Sequence, residues 1–172
     1  MELLISDTNI LIDLYVSGLL DCCRRLEVEF HTVDFVIHEI TDNEQKKAVQ
    51  ELVNTGDLLV ERFSPDETLE LLEWYERFEN RSNLSLTDCA VMLCAKKGGY
   101  RLLTGDKMLR LKATNEGITV SGILYLTDMM VDNGVVDRVT MASSLEILLA
   151  QNNRLPKALF LERIESYREF DK

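Results

Sequence analysis

Residues 1–15 read MELLISDTNILIDLY, and the fold follows from how that stretch changes character. Leu3-Leu4-Ile5 is an apolar run short enough for a buried strand, and Ser6-Asp7-Thr8-Asn9 ends it at once with turn-forming and capping residues. From Ile10 the apolar positions change period: Ile10, Leu11, Leu14 and Tyr15 lie on one helical face, continuing towards Leu19. A strand, a polar turn and a helix open a βα unit.

The same alternation continues along the chain. A second strand is expected at Val33–Ile37 within HTVDFVIHEI, running into Glu39 and a Gln- and Lys-rich helix whose first turn holds that acid. Leu58–Phe63 reads as a third short strand or as the tail of the helix before it. Ser64-Pro65-Asp66-Glu67 marks a helix start: Ser64 caps, Pro65 suits the first position and Glu67 completes a capping box. Leu71, Leu72, Tyr75 and Phe78 form its apolar stripe, and its outer face is strongly acidic.

The next helix begins near Ser85, turns Leu86, Cys89, Ala90, Leu93 and Cys94 inward and stops at Gly98-Gly99. Arg101–Thr104 then reads as a strand ended by Gly105-Asp106. After a basic helix, Ile118–Val120 is a short strand entering the Ser121-Gly122 turn. Helices are expected over Ile123–Asp132, Thr140–Ala150 and Pro156–Phe170.

Strands alternating with helices imply an α/β fold of three layers, α/β/α, with a central, mostly parallel, Rossmann-like sheet and added C-terminal helices. The expected division is an α/β domain over 1–137 and a helical extension packed on it over 138–172. The 172 residues suit one domain of ordinary size, and 46% hydrophobic content against 28% charged content suffices for a real core. No apolar run reaches the roughly 18–20 residues that cross a bilayer, and the first residues lack a secretory pattern. Cys22, Cys23, Cys89 and Cys94 form neither CxxC nor a disulfide frame and read as reduced, mostly buried thiols. A cytoplasmic protein with no membrane partner is the expectation.

Four acids fall where such a sheet gathers ligands, beyond the carboxyl ends of its strands. Asp7 follows the first strand, Glu39 the second and Asp106 the strand ending at Thr104. Asp88 lies in the first turn of the helix feeding that strand. Each has a plainer explanation as a helix cap, a dipole partner or a turn residue. Independent caps have no reason to share one edge, however. Carboxylates this close repel one another, which pushes at least one towards protonation unless a divalent cation intervenes. All-oxygen ligation suits Mg²⁺ or Mn²⁺ better than zinc. Such ions activate water for in-line attack at phosphorus.

The segments I-S-D-T-N at 5–9, H-E at 38–39, L-S-L-T-D at 84–88 and L-L-T-G-D at 102–106 resemble the PIN-domain family of metal-dependent ribonucleases. The resemblance implies a PIN-like fold and an endoribonuclease in which Asp7, Glu39, Asp88 and Asp106 hold Mg²⁺ or Mn²⁺ and serve catalysis. It also implies supporting roles for Asn9 and Thr104, and products with a 5′-phosphate and a 3′-hydroxyl. V-S-G-I-L at 120–124, N-G-V at 133–135 and R-L-P at 154–156 resemble a longer subgroup with a helical extension. Many stand-alone PIN proteins are VapC-like toxins, so the resemblance brings in an RNA substrate, a small antitoxin and a homodimer as partners.

Charge bears on these readings. With 30 acidic and 19 basic residues the formal charge is −11, which argues against coating nucleic acid through bulk positive charge. Residues 96–112 are locally basic: Lys96, Lys97, Arg101, Lys107, Arg110 and Lys112 stand against Asp106 alone, and Lys107 and Arg110 are placed to bind substrate phosphates. Conversely, residues 57–79 hold eight acids and two arginines, a surface expected on the far side or against a basic partner. That surface motivates the alternative reading, a non-catalytic PIN-like module that binds protein through its acidic helix. A phosphatase on a similar scaffold is disfavoured because Asn9 stands where its D-x-D pair needs a second acid. His31 and His38 read as ordinary histidines, and Trp74 and Tyr75 as helix packing.

Overall fold

The computed structural model describes residues 1–169. Strands β1 (Glu2–Ser6), β2 (Val28–Val33), β3 (Leu59–Glu61), β4 (Arg101–Leu103) and β5 (Val120–Ser121) form one sheet in the order β3-β2-β1-β4-β5. Every pairing in it is parallel, with Ile5 opposite both His31 and Leu102. The helices are α1 (Thr8–Val16), α2 (Asp34–Glu39), α3 (Asn43–Thr55), α4 (Pro65–Ser82), α5 (Leu86–Gly98), α6 (Lys107–Asn115), α7 (Ile123–Asp132), α8 (Arg138–Gln151) and α9 (Lys157–Glu169). They cover both faces of the sheet, giving the expected α/β/α sandwich. Helix α1 packs with α3, α7 and α8, whereas α5 packs with α4 and α6.

The core explains the pattern. Leu4, Ile5, Leu102 and Leu103 are wholly buried, as strands covered on both faces must be. Helix α5 is buried from Cys89 through Leu93 because it crosses the middle of one face. The cysteines are unpaired; Cys23 and Cys89 are buried, Cys22 and Cys94 half-buried.

Strand order matters most for function. The chain steps outward from β1 to β2 and β3, then returns through α4 and α5 to lay β4 on the other side of β1. The point of reversal, between the ends of β1 and β4, is where open α/β sheets place their ligands.

Three expectations need correction. The second strand is Val28–Val33, not Val33–Ile37, and 34–39 is helical. Val33, Val36, Ile37 and Ile40 recur at helical spacing, which outweighs the short apolar run they share. Glu39 is therefore the last residue of α2, whereas the next helix starts only at Asn43, capped by Asp42. Helix α1 stops at Val16, where Gly18 (φ 73°) turns the chain so that the Leu19 amide bonds the Leu14 carbonyl. The last strand sits at 120–121, one to two residues later than expected. The helix starts at Ser64 and Ser85 and the span Ile123–Asp132 agree with the sequence reading; Phe170 lies outside the described residues.

The C-terminal helices α8 and α9 pack on each other, and α8 also packs on α1. Asn152, which caps the C-terminus of α8, donates to buried Asp13 of α1 at 3.0 Å. Asp128 of α7 binds both Arg163 and Tyr167 of α9. No helix among the described residues is long and apolar enough to cross a membrane.

Candidate active site

Asp7 anchors the carboxyl rim of the sheet. It is only 4% exposed, and its backbone N–H bonds the Leu103 carbonyl at 3.1 Å, so β1 is tied to β4 at the reversal point. As N-cap of α1, Asp7 accepts the Ile10 N–H at Oδ1 (3.0 Å). Its Oδ2 accepts the hydroxyl of Thr104, a residue with no exposed surface. The Thr104 oxygen in turn accepts the Asp106 N–H at 3.0 Å, so one hydroxyl couples the two acids from β1 and β4. Asp106 caps α6 by accepting from Leu109 N–H at 2.7 Å, and its side chain opens to solvent.

Asp88 arrives on the first turn of α5. It forms a reciprocal capping box with Ser85, whose N–H it accepts at 2.9 Å. Glu39 has no such explanation. At the C-terminal end of α2 a carboxylate opposes the helix dipole, so the expected dipole role is replaced by its opposite. Its Oε2 accepts the Thr8 hydroxyl at 2.6 Å, which pins an otherwise exposed side chain beside the first residue of α1. Thr8 is the contributor that sequence reasoning missed; its only signal was adjacency to Asp7.

Electrostatics bind the group together. Burial pushes the Asp7 carboxyl up to about 7, against the pull of the Thr104 hydroxyl and the Ile10 N–H, with Asp88 and Asp13 adding repulsion. Burial likewise raises Asp88, and Asp106 and Glu39 are the charges that raise it further. The mutual repulsion expected from sequence is present, but desolvation is the larger cause at both residues. Asn9 is exposed on the first turn of α1.

The basic residues divide. Arg110 donates from Nη2 to the Thr104 carbonyl at 3.1 Å and lies across Gly122, where a Cβ would come within 3.2 Å of that nitrogen. Lys107 is exposed in the first turn of α6. Most of the remaining basic stretch has partners: Lys96 binds Glu116, Lys97 binds Glu67 and Glu70, and Arg101 binds Glu2. The expected acidic surface is thus partly answered from within the chain. His31 is buried between Glu29 and Glu61 under the Tyr100 ring, His38 bonds the Asp34 carbonyl, and Trp74 packs on Phe78.

A model of the PIN-domain family matches residues 3–169. The chain belongs to that family. The match runs through α8 and α9 and so takes in both C-terminal helices. No curated protein matches the chain. PIN domains are generally nucleases and typically use divalent metals, and the chain has the corresponding nuclease-type fold.

The donor set can be tested against such an ion. It consists of oxygen donors alone, as a hard cation requires, and the most buried member is raised towards protonation by its burial, with nearby carboxylates adding to the shift. Among the described residues no group of three His, Cys, Asp or Glu side chains is arranged to hold a metal ion directly. Mg²⁺ commonly keeps several waters and uses one or two carboxylates plus substrate phosphate, which this looser spacing suits.

Proposed function

We propose that the chain is a metal-dependent endoribonuclease whose site comprises Asp7, Glu39, Asp88 and Asp106. The observation that carries this reading is the Asp7–Thr104–Asp106 link at the β1/β4 reversal: a buried, proton-hungry carboxylate tied through one hydroxyl to the backbone N–H of Asp106, whose own carboxylate opens to solvent. Mg²⁺ or Mn²⁺ held there would supply an activated water and charge neutralisation at the phosphodiester.

The chain's own residues do the rest. Asp7 is fixed by two hydrogen bonds and serves as the rigid anchor. Thr104 keeps Asp7 and the Asp106 amide in register, and Glu39, steadied by Thr8, closes the opposite side. Asp106, open to solvent, orients the attacking water, with Glu39 assisting. Arg110, lying over Gly122, and Lys107 hold substrate phosphates, and Asn9 contacts the strand from α1. The products carry a 5′-phosphate and a 3′-hydroxyl. A toxin role fits this activity, with a small antitoxin blocking the rim and a second copy of the chain as partner in a homodimer.

Purified protein incubated with RNA and Mn²⁺, beside Asp7→Asn and Asp106→Asn variants, tests the reading. Cleavage by the wild type alone is expected; equal cleavage by all three, or by none, overturns it. A second reading has one observation in its favour. Leu69 and Leu72 of α4 are 62% and 45% exposed among glutamates, a face suited to binding a protein. On that reading the chain is a non-catalytic PIN-like module, and calorimetry with Mn²⁺ would give no heat.

A further inference from the structure

Away from the carboxylate rim, a cavity of about 180 Å³ opens between α4 and α6, lined by Arg77, Phe78, Ser82, Lys112, Asn115 and Glu116. Ser82 is 7% exposed, and its buried hydroxyl has no hydrogen-bond partner, the one such side-chain atom among the described residues. A helical serine ordinarily returns its hydroxyl to a carbonyl one turn back. Leaving it bare beside the cavity carries a desolvation penalty that a ligand's acceptor oxygen would remove.

The charge of the cavity is opposite to that of the chain. Glu116, with a side chain only 11% exposed, is gripped by Arg77 at 2.6 Å and Lys96 at 2.7 Å, and these cations hold its carboxyl below the usual range. Arg77 stays 58% exposed with further N–H groups to offer. Lys112 has no ion-pair partner among the described residues. The wall thus carries two cations, Arg77 and Lys112, against one carboxylate, a balance of +1 on a chain of −11. Apart from Glu116, the polar groups on the wall can all donate: hydroxyl, carboxamide, ammonium and guanidinium. The complementary ligand is an anion with several acceptor oxygens.

Position decides which anion. Lys112 stands six residues after Asp106 on the same helix, about 9 Å along its axis. Ser82 is three residues ahead of Ser85, the cap of the helix that carries Asp88. The cavity therefore lies between α6, which delivers Asp106, and the end of α4, which leads into the helix that delivers Asp88. We propose that it binds a backbone phosphate of the RNA strand whose scissile bond lies at the rim, a proposal that rests on the nuclease reading above. A positive groove that follows the backbone is the usual means of holding a single strand.

Fluorescence anisotropy with a labelled single-stranded RNA, in chelator so that nothing is cleaved, tests this on the full chain. Lys112→Ala is expected to weaken binding about fivefold and to lower the slope of log affinity against log salt by about 0.7, one phosphate contact on a single strand. Ser82→Ala is expected to weaken binding while raising the Tm, because it removes the unpaired hydroxyl. Unchanged affinity and slope in Lys112→Ala, or an unchanged affinity in Ser82→Ala, overturns the proposal. So does an acidic peptide that binds in a Lys112-dependent manner where RNA does not. A parallel cleavage assay in Mn²⁺ separates the two claims. Lys112-dependent binding without cleavage rejects the nuclease reading and upholds the cavity; cleavage without Lys112-dependent binding rejects the cavity alone.

Discussion

Replacing Asp7 by asparagine should make the metal-free protein more stable while abolishing its activity. The folded carboxyl titrates at about 7 against an ordinary value of 3.8, so the folded state holds its proton more tightly than the unfolded chain does. A raised value of this kind contributes stability that is fully present below 3.8 and is lost as pH climbs to about 7. The loss amounts to about 4 kcal/mol above neutrality. An asparagine side chain carries no charge and escapes it. Its carbonyl can still accept from Ile10, but its NH₂ must face Thr104, whose hydroxyl then loses its acceptor at a cost of about 1–2 kcal/mol. The net gain for Asp7→Asn is therefore about 2–3 kcal/mol at about pH 8, or roughly 4–12 °C in Tm for a chain of this size. At about pH 4 the gain should vanish or reverse. Thermal unfolding in chelator across this range reads the difference. Added Mn²⁺ should raise the wild-type Tm at high pH and leave the variant unmoved. A variant less stable than wild type at every pH, or a difference that does not vary with pH, would refute the reasoning.

Other consequences follow from single contacts. Thr8→Val removes the hydroxyl that steadies Glu39, and Mn²⁺ affinity measured by calorimetry should fall about tenfold with little change in Tm. Gly122→Ala sets a Cβ 3.2 Å from Arg110 Nη2, displacing the guanidinium from the Thr104 carbonyl; KM for RNA should rise about fivefold, with kcat less affected. Ser64→Ala breaks the capping box of α4 and should cost about 1 kcal/mol, seen as a Tm lower by roughly 2–4 °C with cleavage unchanged.

The fold is legible wherever local chemistry and burial agree. The capping boxes at Ser64 and Ser85 start their helices as expected, because a serine followed three residues later by an acid satisfies two otherwise bare N–H groups. The residues after β1 and β4 share one edge because all the strands run parallel, so Asp7 and Asp106 are legible as neighbours. The second strand is misplaced because VDFVI is apolar enough for a strand while its spacing is helical, and Asp34 in the first turn tips the balance. Contacts between distant residues leave no local trace. Thr8 reaches Glu39 across 31 positions, and Asn152 reaches Asp13 across 139. Charge is legible as a count but not as a pairing. Lys96, Lys97 and Arg101 read as free cations until the fold brings Glu116, Glu67, Glu70 and Glu2 to them.

Anomalous diffraction at the manganese edge, from crystals soaked in Mn²⁺ at about pH 8, addresses the carboxylate rim most directly. A peak within reach of Asp7 and Asp106, with Asp88 or Glu39 turned towards it directly or through water, is the expected result. A map without a peak there under saturating Mn²⁺, while Asp7 stays bonded only to Thr104 and Ile10, would contradict a metal-dependent site at this edge of the sheet.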